Sequence, residues 1–283
     1  MSDRRPRSER RRDLKRNRRA PARRSIWRGP VPIVVAMAAI VLAIAGFVVL
    51  SRSQESSTPT GDDVAAIVSQ LTTVPPATLD TVGSGGLANP LKATGVTDVV
   101  KGPSGRPVVI YVGADYCPFC ASERWSLIVA LSRFGSFSGL ELTRSSSTDV
   151  FPNTPTFTFR GSSYASTVIE FAPVETADRQ GNPLATPSPL QQASLARYDT
   201  QNSIPYVSIA DRYVTVGSGF QPDVLTGKTW REIASQVRDP ASPIAKAILG
   251  NANYLTAAIC AVTGQAPAAV CEAPGLKGLA PPR

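Results

Sequence analysis

The chain has 283 residues, of which 42% are hydrophobic and 18% charged, with a net charge of +9 and no histidine. That is enough for one domain of ordinary size plus tails, and the missing histidine excludes Cys–His and Ser–His nucleophilic catalysis. The positive charge is local: the first 28 residues hold 13 Lys+Arg against three acids, so residues 29–283 are close to neutral and the basicity says nothing about the folded part.

Next to this basic tail comes "VPIVVAMAAIVLAIAGFVVL", Val31 to Leu50, twenty residues without a charge. As a helix it spans about 30 Å, the thickness of a bilayer's hydrocarbon core. The spacing predicts one transmembrane helix over residues 29–50. A cleavable signal peptide would carry a shorter basic region, an apolar run of about 7–15 residues and a small-residue cleavage site. The following "SRSQESS" has no such site. The positive-inside rule then sets the tail in the cytoplasm and the remainder outside, a single-pass protein of the cell membrane. Anionic lipid is the expected partner of residues 1–28. No nucleic acid is expected, because neither interleaved aromatics nor a fold motif accompanies the charge.

Residues 51–90 read as a polar stalk and linker, with a weak helix over Asp63–Leu71 and a Pro/Gly-rich connector, "TVPPATLDTVGSGGLANP". A domain is predicted over 91–240. It opens with a β-branched run, Val108–Val112, typical of a strand buried on both faces, and continues with a helix over Pro118–Phe134 that Gly135 closes. "LELTRSS" reads as the second strand of a βαβ unit. "TPTFTFRGSSYASTVIEFAPVET" reads as an antiparallel hairpin, part of an insertion over about 148–195 that ends with a helix over Pro189–Tyr198. Strands "IPYVSIAD" and "RYVTVGSGF", a helix over Thr229–Arg238 and a helical stretch from Ala241 to about Val262 complete an open, mixed α/β sheet with helices. Residues 241–283 are predicted to form a helical hairpin turning at Gly264 and Pro267.

The chemistry-bearing stretch is "YVGADYCPFCASERW", Tyr111 to Trp125. Cys117 would stand at a helix N-terminus, where unpaired N–H groups and the helix dipole stabilise a thiolate. Cys120, one turn on, would resolve a mixed disulfide, and Pro118 suits the first helical turn. A four-cysteine zinc site and an inert structural bridge are the competing readings. The first lacks a second CxxC or a histidine. The second closes so small a loop that it adds little stability. Asp115 and Glu123 read as solvated surface charges, Glu123 also as a helix ion-pair partner. Cys260 and Cys271 bracket ten residues, and as a structural disulfide would contribute about 3 kcal/mol by chain entropy. A relay of electrons to the first pair is the sharper reading of the same residues.

"VVIYVGADYCPFC" resembles the active-site strand and turn of the thioredoxin superfamily, and "YVGADYCPFCASERW" is similar to a membrane-anchored branch of it, the DUF929 family. The resemblance covers residues 91–240 and implies a thioredoxin-like βαβ–ββα core with an inserted β-hairpin and helix region. "NSIPYVSIAD" matches the superfamily's second mark, a cis proline against the CxxC. Pro205 is that proline, and the resemblance implies that Ile204 before it presents its backbone to substrate, with Pro118, Phe119 and Tyr116 completing the substrate-binding surface. Two positions depart from the pattern. Tyr111 stands where the superfamily has a buried acid, and Tyr116 replaces a tryptophan.

The expectation is a membrane-anchored, extracytoplasmic thiol–disulfide oxidoreductase with Cys117 as nucleophile and Cys120 as resolving thiol. It would use no metal and no cofactor, act on client proteins carrying disulfides or thiols, and be reset by a membrane redox partner. The alternative is a non-catalytic binding or scaffold protein of the cell envelope, with the CPFC bridge permanently closed and the insertion contacting a partner.

Overall fold

A β-branched run with no charge needs partners on both edges and cover on both faces, and β2 (Val108–Gly113) has all four. It is buried at every position. In the computed structural model, which describes residues 37–43, 46, 61–279 and 281–282, β2 pairs in parallel with β7 (Glu170–Glu175) and antiparallel with β8 (Tyr206–Ile209). β8 continues antiparallel to β9 (Tyr213–Val216), and β9 to the two-residue β1 (Lys92–Ala93). The sheet order is therefore β1-β9-β8-β2-β7.

Strand alternation gives β2 two environments. Val109 and Tyr111 join the larger core with α3 (Pro118–Ser132), α5 (Trp230–Val237) and α6 (Pro243–Val262). Val108, Ile110 and Val112 join a smaller cluster with Leu195 of α4 (Pro189–Tyr198). Three of these helices start on a side-chain cap. Ser188 and Thr229 form capping boxes with Gln191 and Glu232, and the Ser242 hydroxyl accepts from the N–H groups of Ile244 and Ala245. Such side-chain acceptors satisfy N–H groups that the first turn leaves unpaired.

Between α3 and β7 lie two small antiparallel pairs, β3 (Gly135–Ser138) with β6 (Ser163–Ser166), and β4 (Glu141–Arg144) with β5 (Pro155–Thr158). This corrects the second strand of the βαβ unit. "LELTRSS" contributes β4 to a separate pair, and β7 takes the place beside β2. Pairing partners are non-local, so the strand character of a segment does not carry its neighbour. The connector before residue 90 also differs from expectation. Besides α1 (Gly61–Thr72) it holds α2 (Pro76–Val82), which starts on proline at its first position. Asn253 of α6 donates to the carbonyls of Leu79 and Gly83, tying α2 to the core.

The expected fold class is corrected in its first element. Among the described residues no helix is long and apolar enough to cross a membrane. The segment expected to span, 29–50, lies largely outside the described residues, and its described helical run, 37–43, is seven residues. The 20-residue α6 is long enough but is buried among the other elements, with Asn251 and Asn253 fully inside. The single-pass cell-membrane localisation falls with the anchor. The tail, residues 1–28, and its lipid contact lie outside the described residues. What stands is a mixed α/β architecture with a five-stranded sheet and helices.

Candidate functional site: a split dithiol at a helix start

The chain leaves β2 at Gly113, turns through Ala114–Tyr116 and enters α3 at Pro118. Cys117 is the N-cap residue with extended backbone angles, and its Sγ accepts the Cys120 N–H at 3.1 Å. Pro118 has no N–H to satisfy in that turn, which suits the first helical position. Both cysteines are unbridged, Cys117 5% exposed and Cys120 fully buried.

The two thiols are held apart in acidity. For Cys117 the hydrogen bond from the Cys120 side chain is the largest influence, and it lowers the pKa; burial opposes it, while the Cys120 N–H and the Arg124 charge add to the lowering. For Cys120 burial dominates and pushes the thiol up, reinforced by its position as donor to Cys117. The thiolate is the reactive form of a cysteine, and this ordering makes Cys117 the more readily ionised of the two.

Across the site stands the connection into β8. The Ile204–Pro205 peptide is cis, and the Cys117 thiol donates to the Ile204 carbonyl at 3.8 Å. Phe119 and Tyr116 are half-buried on the near side. Tyr116 continues into a cleft of about 560 Å³ lined by Ser146, Thr148–Val150 and Arg179–Gly181. Its wall, the loop 145–153, is fastened on both sides. Ser146 donates its N–H to the Tyr116 carbonyl at 2.8 Å, and the Phe151 ring meets Phe119 edge-on at 5.9 Å. Opposite, Arg179 donates to the Ser145 carbonyl and the Asn153 side chain. The structure thus gathers Cys117, Cys120, Pro118, Phe119, Tyr116 and Ile204 in one place, with Pro205 behind Ile204.

Cys260 and Cys271 are bonded to each other, joining α6 to α7 (Ala268–Cys271).

Beneath the dithiol lies a group of buried charges, two of which, Asp115 and Glu123, the sequence reading put at the surface. Asp115 is 3% exposed and Glu123 and Arg124 are fully buried. Arg124 donates through Nε and Nη2 to the two carboxylate oxygens of Glu175 at 2.9 and 2.6 Å, and through Nη2 to the Ala114 carbonyl at 2.8 Å; Asp115 stands 3.5 Å away. Burial is the largest influence on Arg124 and would lower its pKa, but Glu175, Tyr111 and Cys120 together raise it well above the ordinary value and keep the guanidinium charged. The register explains the meeting: Glu175 sits opposite Gly113, at the end of β2 from which the CxxC turn departs.

Glu123 belongs to a different neighbourhood. Its Oε2 accepts from the Gly219 N–H at 3.0 Å and from the Asn251 amide at 2.9 Å, and burial raises its pKa to about 7. Tyr111, at the position the resemblance gives to a buried acid, is a fully buried phenol whose hydroxyl finds no partner. Burial keeps that phenol neutral.

The sequence signal for these buried charges was the composition of α3. In "PFCASERWSLIVALS" Glu123 and Arg124 are the two charges of a helix otherwise apolar or small on every side, and such a helix is buried all round.

A mixed α/β protein with a dithiol split at a helix start is the class these features define. A family model described as a domain of unknown function, DUF929, matches residues 99–202, from before β2 to just short of Ile204. No curated protein and no solved structure matches the chain.

Proposed function

We propose that the protein is a thiol–disulfide oxidoreductase working through Cys117 and Cys120. The observation that carries this reading is the split of the pair: one thiol capping a helix with its pKa lowered, its neighbour buried with its pKa raised. An inert bridge has no use for that difference, whereas exchange needs one thiolate to attack and one thiol to wait.

The chain order supports the finer, thioredoxin-like reading of the core. β2, α3 and the parallel β7 make a βαβ unit, and β8, β9 and α5 follow as ββα. The small sheets between α3 and β7 are then an addition to that core, and the loop joining β4 to β5 forms one wall of the cleft beside Tyr116. The Ile204 carbonyl facing Cys117 provides a backbone edge against which an extended client segment pairs. A client cysteine reaches Cys117 between Ile204, Phe119 and Tyr116, with its flanking residues in the 560 Å³ cleft. Clients are proteins with an accessible disulfide or dithiol, and a separate redox protein resets the pair.

Cys120→Ser tests this. With the resolving thiol gone, clients remain attached to Cys117 as mixed disulfides that a reductant releases and that Cys117→Ser abolishes. A folded Cys120→Ser protein that captures no client, and a parent pair that does not exchange with glutathione, would overturn the reading in favour of a binding protein.

A further inference from the structure

We propose that Arg124 is a positioning residue for the resolving thiol, its buried guanidinium being the positive charge against which the Cys120 thiolate forms. The role rests on the exchange reading above. Cys117, Cys120 and Arg124 occur at i, i+3 and i+7, which puts all three on one face of α3. One carbonyl links Cys117 to Arg124: that of Ala114 accepts both the Cys117 N–H at 3.3 Å and Arg124 Nη2 at 2.8 Å. Glu175 holds the guanidinium by Nε and Nη2, which leaves Nη1 buried without a hydrogen-bond partner. A buried donor without an acceptor is costly, and the Arg124 charge works on Cys120 against the burial that raises its pKa.

The reaction shows when that charge is needed. The Cys117 thiolate attacks one sulfur of a client disulfide; the Cys117–client bond forms and the client S–S bond breaks. The departing client thiolate takes the proton of Cys120. The Cys120 thiolate attacks Cys117 Sγ, the Cys117–Cys120 bond forms, and the second client sulfur leaves and takes a proton from solvent. The enzyme dithiol loses two electrons and the client disulfide gains them. The middle state puts a negative charge at a fully buried sulfur. The groups around it are Cys117 and Arg124 on α3, Tyr111 on β2, Glu175 on β7 and Asp115 in the turn; Glu123 faces Ser218, Gly219 and Asn251 instead. Arg124 is the one cation in that set.

Thiolate absorbance in a Cys117→Ser background measures the effect directly, since Cys120 is then the lone free thiol beside the Cys260–Cys271 bridge. Arg124→Met should cut the Cys120 thiolate fraction about tenfold at a fixed pH below its midpoint. Arg124→Lys should stay near the parent. Glu175→Gln, which removes the main counter-charge of the guanidinium and leaves only Asp115 at 3.5 Å, should raise that fraction. With both active-site cysteines present, Arg124→Met should slow decay of the mixed disulfide by a similar factor. If Arg124→Met does not fold, the Lys and Gln variants decide. A folded Arg124→Met with an unchanged titration, or a Glu175→Gln that moves it the wrong way, would leave Arg124 a structural ion pair and overturn the proposal. Titration needs no client, so failure of exchange in the parent would be seen separately.

Discussion

Glu123 carries a proton at pH values where an exposed carboxyl has lost it. Its folded pKa of about 7 lies above the 4.5 of an unperturbed glutamate. Between those values the folded state binds a proton that the unfolded state releases. Stability from this group is therefore fully present below pH 4.5, falls as pH rises, and levels off above pH 7. The full difference amounts to about 3 kcal/mol. Glu123→Gln keeps the acceptor for Gly219 and Asn251 and removes the titration. Chemical denaturation of this variant should give a flatter stability profile between pH 4.5 and 7, and a protein more stable than the parent at pH 8. Identical profiles for the two proteins would show that Glu123 ionises as an ordinary carboxyl. The same residue shows where sequence reading stopped: a charge beside a CxxC looks solvated unless the far face of its helix is known to be covered. Here Asn251 of α6 and Ser218–Gly219 cover it.

Helix α6 organises the elements around the site. Its residues from Ile244 to Val262 are nearly all buried, and the Ile248 carbonyl accepts the Ser126 hydroxyl of α3 at 2.9 Å. The Ser242 hydroxyl is the only side-chain acceptor capping its first turn among the described contacts, so Ser242→Ala should cost about 1 kcal/mol, measured as a shift in denaturant midpoint at unchanged slope. A change well below that would mean the first turn is satisfied by water. Because the site sits on α3 and not on α6, this variant should leave the reactivity of Cys117 where it was.

At the scale of the molecule, local signals were legible and long-range ones were not. The strand at Val108, the helices at Pro118, Pro189, Trp230 and Pro243, and the Cys260–Cys271 pairing could be read from nearby residues: β-branched runs, caps, prolines at first turns and cysteine spacing. The adoption of β7 as the parallel partner of β2 could not, nor could the burial of Arg124 against Glu175, 51 residues away. Each depends on which distant segment wins a shared edge, and no local pattern encodes that choice. The meeting of α2 with the turn Pro274–Leu276 is of the same kind. Gly275 donates its N–H to the Asp80 carboxylate at 2.9 Å, and a Cβ there would lie 2.6 Å from the Asp80 Cα. Gly275→Ala should therefore cost about 1–3 kcal/mol and speed hydrogen exchange in α2 ahead of the sheet. Equal exchange in parent and variant would mean the turn yields without loss.

That contact also sets an order of events during synthesis. Asp80 leaves the ribosome 195 residues before the glycine it binds. Until then α2 lacks this partner, and Leu276, which ends inside the main core, is still to be made. During synthesis, then, Leu79 and the rest of α2 are in place long before Leu276, and this part of the core closes only after residue 276 has been made.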